Sequence, residues 1–324
     1  MFRLLKPFTI VLFLTLIILP GKGRSSDFIE IQKQDDGLLV LEEGREVLFY
    51  QTAPKSHNGE YQRTNYIHPL YSLKGTVLTE DFPDDHLHQR GIFWAWHQIV
   101  VNDQRVADQW TLDDFDWELK DVSVDESPLE YSELQVTFHW KSPNYADENG
   151  NAIPFVEEIS TVRIYPTRDF EDTLYQQIDF HTALRSINVP VSIGGSEDAK
   201  GYGGFSLRIK LPDDMLFLGE NGLMKPQTTA VDAGSWMDFT GSLEDDGSRV
   251  GMTVLTHPSL PLFPPPWIIR AKNSMQNPVF PGRDLFQLPT EKPLELFYRV
   301  LIHDGDLKPV RIDKLQQEFE SVEF

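Results

Sequence analysis

Between Asp81 and His97 the chain reads Asp-Phe-Pro-Asp-Asp-His-Leu-His-Gln-Arg-Gly-Ile-Phe-Trp-Ala-Trp-His, and Asp84, Asp85, His86 and His88 stand within five positions of one another. Three of the nine histidines of the chain fall in this window, Arg90 follows, and Phe93, Trp94 and Trp96 come directly after. These residue types support acid/base chemistry. Imidazole titrates near neutrality and takes or gives a proton, and a neighbouring carboxylate orients the ring or raises its pKa. On an extended segment the period of two puts His86 and His88 on one face, with Leu87 opposite. The plainer alternative is a polar turn whose side chains cap backbone amides and face water.

Epimerisation, β-elimination or dehydration of a sugar requires a base, an acid and an electrostatic clamp. His86 and His88 are the candidate base and acid, and Arg90 is the candidate holder of a carboxylate or oxyanion. Trp94 and Trp96 are candidate stacking surfaces for a sugar face, and His97, Arg208, Trp267, Arg270 and His303 are further candidate substrate-binding residues. His68, His257 and His303 stand next to prolines or turns elsewhere and are candidates to converge on the same cleft. Asp238, between Met237 and Phe239 in an apolar stretch, is a further candidate acid; its alternative role is a buried cap or a partner for Arg208 or Arg270. A glycosidase needs two well-placed carboxylates, and no such pair stands out.

Two other readings compete. His86 and His88 with Asp85 and a distant His257 or His303 offer mixed nitrogen and oxygen ligands for a divalent ion; this metal-dependent alternative is not the favoured one, and the cofactor is left open. A non-catalytic glycan-binding module would use Trp94, Trp96, Trp110 and Trp267 as exposed platforms instead. Gly201-Tyr-Gly-Gly204 is not read as a phosphate loop, because no Lys-Ser/Thr pair follows it.

The elements that must position these residues read as strands. Gly37–Leu41 and Glu46–Gln51 flank a polar turn and predict a hairpin. Tyr66–Tyr71 and Thr76–Thr79 flank Lys74-Gly75, with Pro69 arguing for an edge or a turn. Ile92–Trp96 predicts a buried strand, and Val100–Val106 a tight hairpin through Asn102-Asp103. Further strands are expected over 134–140, 158–165, 174–180, 189–193, 205–209, 250–255 and 296–302. Ile312, Leu315, Phe319 and Val322 recur at helical spacing and predict one C-terminal amphipathic helix. Many short strands between turn signals predict an all-β chain built as a large antiparallel β-sandwich, in one domain over 27–324.

Composition narrows the function. The 324 residues carry 50 acidic and 29 basic side chains, 22 prolines, 21 glycines and no cysteine. No disulfide framework exists. Arg3 and Lys6, an apolar run from Phe8 to Leu19 and a small polar exit predict a signal peptide over 1–26, and hence a periplasmic or secreted protein with no membrane insertion after its removal. Residues 1–26 carry four basic and no acidic side chains, so removing them takes the net charge from −21 to −25. Such a surface repels nucleic acid and anionic lipid. A neutral small molecule or oligosaccharide suits it, whereas an anionic substrate would need a local arginine pocket.

Several segments together resemble a family of bacterial proteins labelled PmoA-like. They are Tyr66–Tyr71, Asp81–Trp96, Gly203–Arg208, Trp236–Gly241, Thr256–Ser259, Pro266–Arg270 and Leu301–Asp306, in family order and spanning nearly the whole chain after the signal. Asp85, His86, His88, Arg90 and Gly91 match the family run, and Gln89 stands where a further histidine is usual. The resemblance implies a β-sandwich similar to the galactose-mutarotase-like supersandwich and an association with polysaccharide breakdown. It implies no established reaction.

Overall fold

The computed structural model describes residues 28–127 and 130–322, so the expected signal peptide lies outside the described residues. Strands dominate, and the strand pairings are antiparallel. One sheet of six strands runs in the order Ile29–Lys33, Gly37–Glu42, Arg45–Gln51, Tyr66–Leu70, Ile92–Ala95 and Gly204–Leu207. The main sheet runs Asp116–Asp125, Ser132–Lys141, Val156–Ile164, Thr173–Ser186, Leu294–Asp304, Arg249–Thr256, Trp236–Ser242, Leu216–Gly219 and Gly222–Leu223, with Arg168–Phe170 paired to its fourth strand. A smaller sheet joins Phe286–Gln287, Val191–Gly194, Gln98–Val101 and Gln104–Ala107.

The two larger sheets pack face to face through alternating apolar side chains. Ser132–Lys141 shows the pattern directly, burying every second residue. Across the interface Trp94 meets Phe180 at a ring-centroid distance of 5.9 Å, and Phe205 meets Phe180 at 5.2 Å and Tyr298 at 4.4 Å. The expected antiparallel β-sandwich is the architecture observed. The expected helix is present as Pro309–Glu320. It buries Ile312, Leu315 and Phe319 in a cluster with Trp236, Leu255, Phe297 and Leu301. The expected turn at Asn102-Asp103 has both residues at positive φ, +48° and +62°, as a tight hairpin between right-twisted strands requires.

Three local readings are corrected. Tyr66–Leu70 is not an edge strand; it lies between two neighbours. Pro69 is accommodated because pairing with Ile92–Ala95 ends at Ile67 and the pairing with Arg45–Gln51 shifts register opposite it. Thr76–Thr79 forms only isolated bridges, Tyr71 with Val77 and Thr79 with Ile209. Asp116–Asp125, not expected as a strand, forms an edge of the main sheet.

The segment that matters most is the loop between Tyr66–Leu70 and Ile92–Ala95. A bridge between Asp81 and Arg90 closes its base. The Gly91 amide donates to the Glu80 carbonyl at 2.8 Å, and the Gly91 carbonyl accepts from the Arg208 amide at 2.6 Å. Gly91 has φ +27°, and a Cβ there would stand 1.8 Å from the Ile67 carbonyl oxygen. Only glycine closes this loop against the neighbouring strand.

Candidate active site

Loop 81–90 lifts His86 and His88 onto one wall of a cleft of about 530 Å³. The opposite walls come from three other places in the chain: His97 and Trp110, then Lys200 and Tyr202, then residues 270–275. Sequence-distant segments meet here because the strand Ile92–Ala95 pairs with Gly204–Leu207, which brings residues 200–203 over Trp96 and His97.

The three histidines differ in their partners. His86 Nδ1 lies 2.6 Å from Asp85 Oδ2. Asp85 is itself held by a two-pronged fork from the buried Arg208, with Nη1 at 3.0 Å and Nη2 at 2.7 Å. His97 Nδ1 lies 2.9 Å from Asp108 Oδ2, and Asp108 Oδ1 accepts from the Trp110 and Thr111 amides. An ionised carboxylate only accepts, so in both pairs Nδ1 carries a proton, which in the neutral ring leaves the lone pair on Nε2. The His97 ring stacks on Trp110 with 22° between planes and meets the edge of Tyr202, leaving its shielded Nε2 without a partner among the described residues.

His88 stands between them, its ring 5.6 Å from that of His86 and 6.5 Å from Trp110. It makes no hydrogen bond to any described residue. Burial lowers its pKa to about 4, helped by Arg63, His86 and His97 and opposed by Asp108. His88 is therefore neutral at physiological pH. Burial also pushes the Asp85 and Asp108 carboxyls up, but the Arg208 and His86 contacts on one and the His97 contact on the other outweigh it, and both end below the usual range. Asp85 and Asp108 are thus ionised orienting groups.

The other candidates fall elsewhere. Arg90 is not a clamp. Its guanidinium is fully buried, donating to Asp81 at 2.8 Å, Tyr66 Oη at 3.1 Å and the Lys55 and Tyr61 carbonyls, with Phe82 across its face. Its role is to hold loop 81–90. Trp94, Trp96 and Trp267 are core residues without exposed faces: Trp96 Nε1 donates to the Phe280 carbonyl and Trp267 Nε1 to that of Gly234. The accessible aromatic ring of the cleft is Tyr202, which is backed by Trp110, itself buried at 2% exposure under the stacked His97. His68 bonds Thr79 outside the cleft. His257 bonds Ser259 and packs its ring against Phe297 and Phe319 near the C-terminal helix. Asp238 and His303 pair with each other at 2.9 Å inside the main sheet, where Thr240 and Thr253 also donate to the carboxylate. The partner of Asp238 is His303, neither arginine. Arg208 sits behind His86, and of the predicted binding residues only His97 and Arg270 line the cleft.

Sequence reasoning missed Asp108, Tyr202, Lys200 and Lys272. Asp108 carries only a weak signal, an Asp two residues before a Trp just past a hairpin. Gln89, standing where the resemblance places a further histidine, accepts from Arg208 Nη1 at 2.9 Å. The third imidazole of the cleft is His97. Among the described residues no group of three or more His, Asp or Glu side chains is arranged to hold a metal ion, so the metal alternative finds no donor set, and His86 and His88 are not joined by His257 or His303.

The model of one protein family, described as a family of unknown function (DUF6807), matches residues 38–317. No curated protein matches. Among solved structures, the α-galactosidase from Lactobacillus brevis is similar at 9% identity and a TM-score of 0.34, over 86% of this chain and 39% of that one. A protein of Salmonella typhimurium described as a mutarotase is similar at 10% identity and a TM-score of 0.32, over 87% of this chain and 95% of that one.

Proposed function

We propose, for a chain that belongs to the DUF6807 family of unknown function, an acid/base enzyme acting on a sugar of the kind released in polysaccharide breakdown. The observation that carries this reading is His88, a neutral, unpartnered imidazole between two imidazoles that are each oriented by a carboxylate. The reaction types it suits are epimerisation, β-elimination or dehydration, in which a proton leaves a sugar carbon and another is delivered. In this account His88 accepts the proton, and His97, its orientation fixed by Asp108, forms part of the opposite wall. Tyr202, backed by the buried Trp110, supplies the apolar surface on which a sugar face rests. The cluster is better suited to proton transfer than to nucleophilic attack, since no serine or cysteine nucleophile is paired with a base there.

Incubating the protein with a panel of neutral and acidic mono- and oligosaccharides, followed by NMR, tests this. New product signals that fall by about 10²- to 10⁴-fold in His88→Ala support the reading. Sugar binding without turnover, unchanged in His88→Ala, overturns it in favour of a binding module built on Trp110 and Tyr202.

A further inference from the structure

The chain is strongly acidic, yet its cleft is not. Of the 79 charged side chains 50 are acidic, but the cleft is lined by Lys200, Arg270 and Lys272 and by no Asp or Glu. Lys200 and Lys272 have carboxylates at their outer ends, Asp198 and Asp213, each at 3.1 Å. Arg270 has none among the described residues. Its Nη1 donates to the Gln227 and Ile269 carbonyls, and its Nη2 to the Thr228 carbonyl at 2.7 Å. Three of its five N–H groups are thereby spent on neutral acceptors. Its Nε–H donates to no described residue, which leaves a donor of this cleft-lining guanidinium for a carboxylate.

A second cation lies beneath the site. Arg63 is fully buried and faces only carbonyls, those of Trp94, Gln109 and Trp110, with Phe93 and Trp117 across its face. No carboxylate of the described residues makes an ion pair with it, and Glu158 and Asp108 act on it only through space. With Lys200, Arg270 and Lys272 in the lining, no carboxylate in that lining, and Arg63 below without an ion-pair partner, a bound anion would find a favourable seat.

We infer that the sugar this cleft takes carries a carboxylate, as a uronic or aldonic acid does, and that Arg270 seats it. The inference rests on the sugar reading above and narrows its substrate class. It also gives the site an internal logic. A carboxylate acidifies the carbon beside it, which is where a base acts in epimerisation or elimination, and its charge beside His88 offsets the field of Arg63 that disfavours protonation.

Titration calorimetry of the full chain with glucuronate and galacturonate, against glucose and galactose, tests the inference by binding alone. The uronates are expected to bind at least about tenfold more tightly, more weakly as salt rises, and about 10- to 100-fold more weakly to Arg270→Gln. Because Arg270 also ties down residues 227–228, Lys200→Gln serves as a second variant that removes a charge and no backbone contact; it is expected to weaken the uronates several-fold and leave neutral sugars unchanged. The His88 pKa, followed by NMR, is expected to rise on uronate binding. Equal affinity for glucose and glucuronate, or uronate affinity unaltered in both variants, overturns the carboxylate and leaves the sugar reading standing. Binding of propionate with the same Arg270 dependence, while no sugar of either class binds, overturns the sugar reading and this inference with it.

Discussion

His88 shows how much an imidazole's neighbours decide what it can do. Its own type says only that it titrates near neutrality. Burial and the positive groups around it bring the pKa down to about 4, and the same desolvation brings His68 and His181 to about 4. In the unfolded chain all three would titrate near 6.5. Between those values the unfolded state binds more protons than the folded state, so stability rises with pH across the window and falls as the solution is acidified from about 6.5 towards 4. The urea midpoint is expected to drop over that range, and His88→Gln to flatten the slope by up to about 1.4 kcal/mol per pH unit. A slope unchanged in His88→Gln would contradict the environment assigned to this residue.

At the scale of elements, the loop that carries His86 and His88 is held from behind by residues that look catalytic in the sequence. Arg90 is the main one: with Asp81 it forms a pair in which the side chains are 0% and 6% exposed. Removing the guanidinium leaves Asp81 buried beside only Lys55 and the Tyr66 hydroxyl. Arg90→Ala is therefore expected to cost about 3–5 kcal/mol of stability by chemical denaturation, with loss of activity following from loss of the loop. Full stability in that variant would refute the structural role. The Asp238–His303 pair repeats the lesson in the main sheet. Gly251, opposite both Thr240 and His303 in register, is what leaves room for it, since a Cβ there would lie 1.9 Å from the imidazole. The pair is built into the sheet and away from the cleft.

At the scale of the molecule, alternation of apolar residues made the sandwich legible, because each strand must bury one face. The strand Asp116–Asp125 escaped because a bulge between Leu119 and Asp121 breaks its phase: Trp117 and Leu119 alternate before it, Val122 and Val124 after it. The gathering of titratable groups in the focal segment was legible, and His86, His88 and His97 all line one cleft. Roles within it were less so. Whether an Arg or Trp faces a cleft or a core depends on the strands around it: Arg90 precedes the interior strand Ile92–Ala95, Trp94 lies within it and Trp96 directly follows it. Asp108 is returned to His97 by the local hairpin of Gln98–Val101 and Gln104–Ala107, whereas Lys200, Tyr202 and Lys272 reach the cleft only through long-range packing, which local spacing does not encode. Net charge describes the whole surface, and it could not show that Lys200, Arg270 and Lys272 gather at one cleft.

The most direct test of the account is proton exchange at carbon. Incubated with its sugar in D₂O, the protein is expected to wash deuterium into one sugar carbon position, seen by NMR even where the net reaction is at equilibrium. That incorporation should fall by about 10²-fold or more in His88→Ala and be reduced in Asp108→Asn, which no longer fixes the His97 tautomer. Incorporation at the wild-type rate in His88→Ala would contradict the assignment of this imidazole as the group that takes the proton.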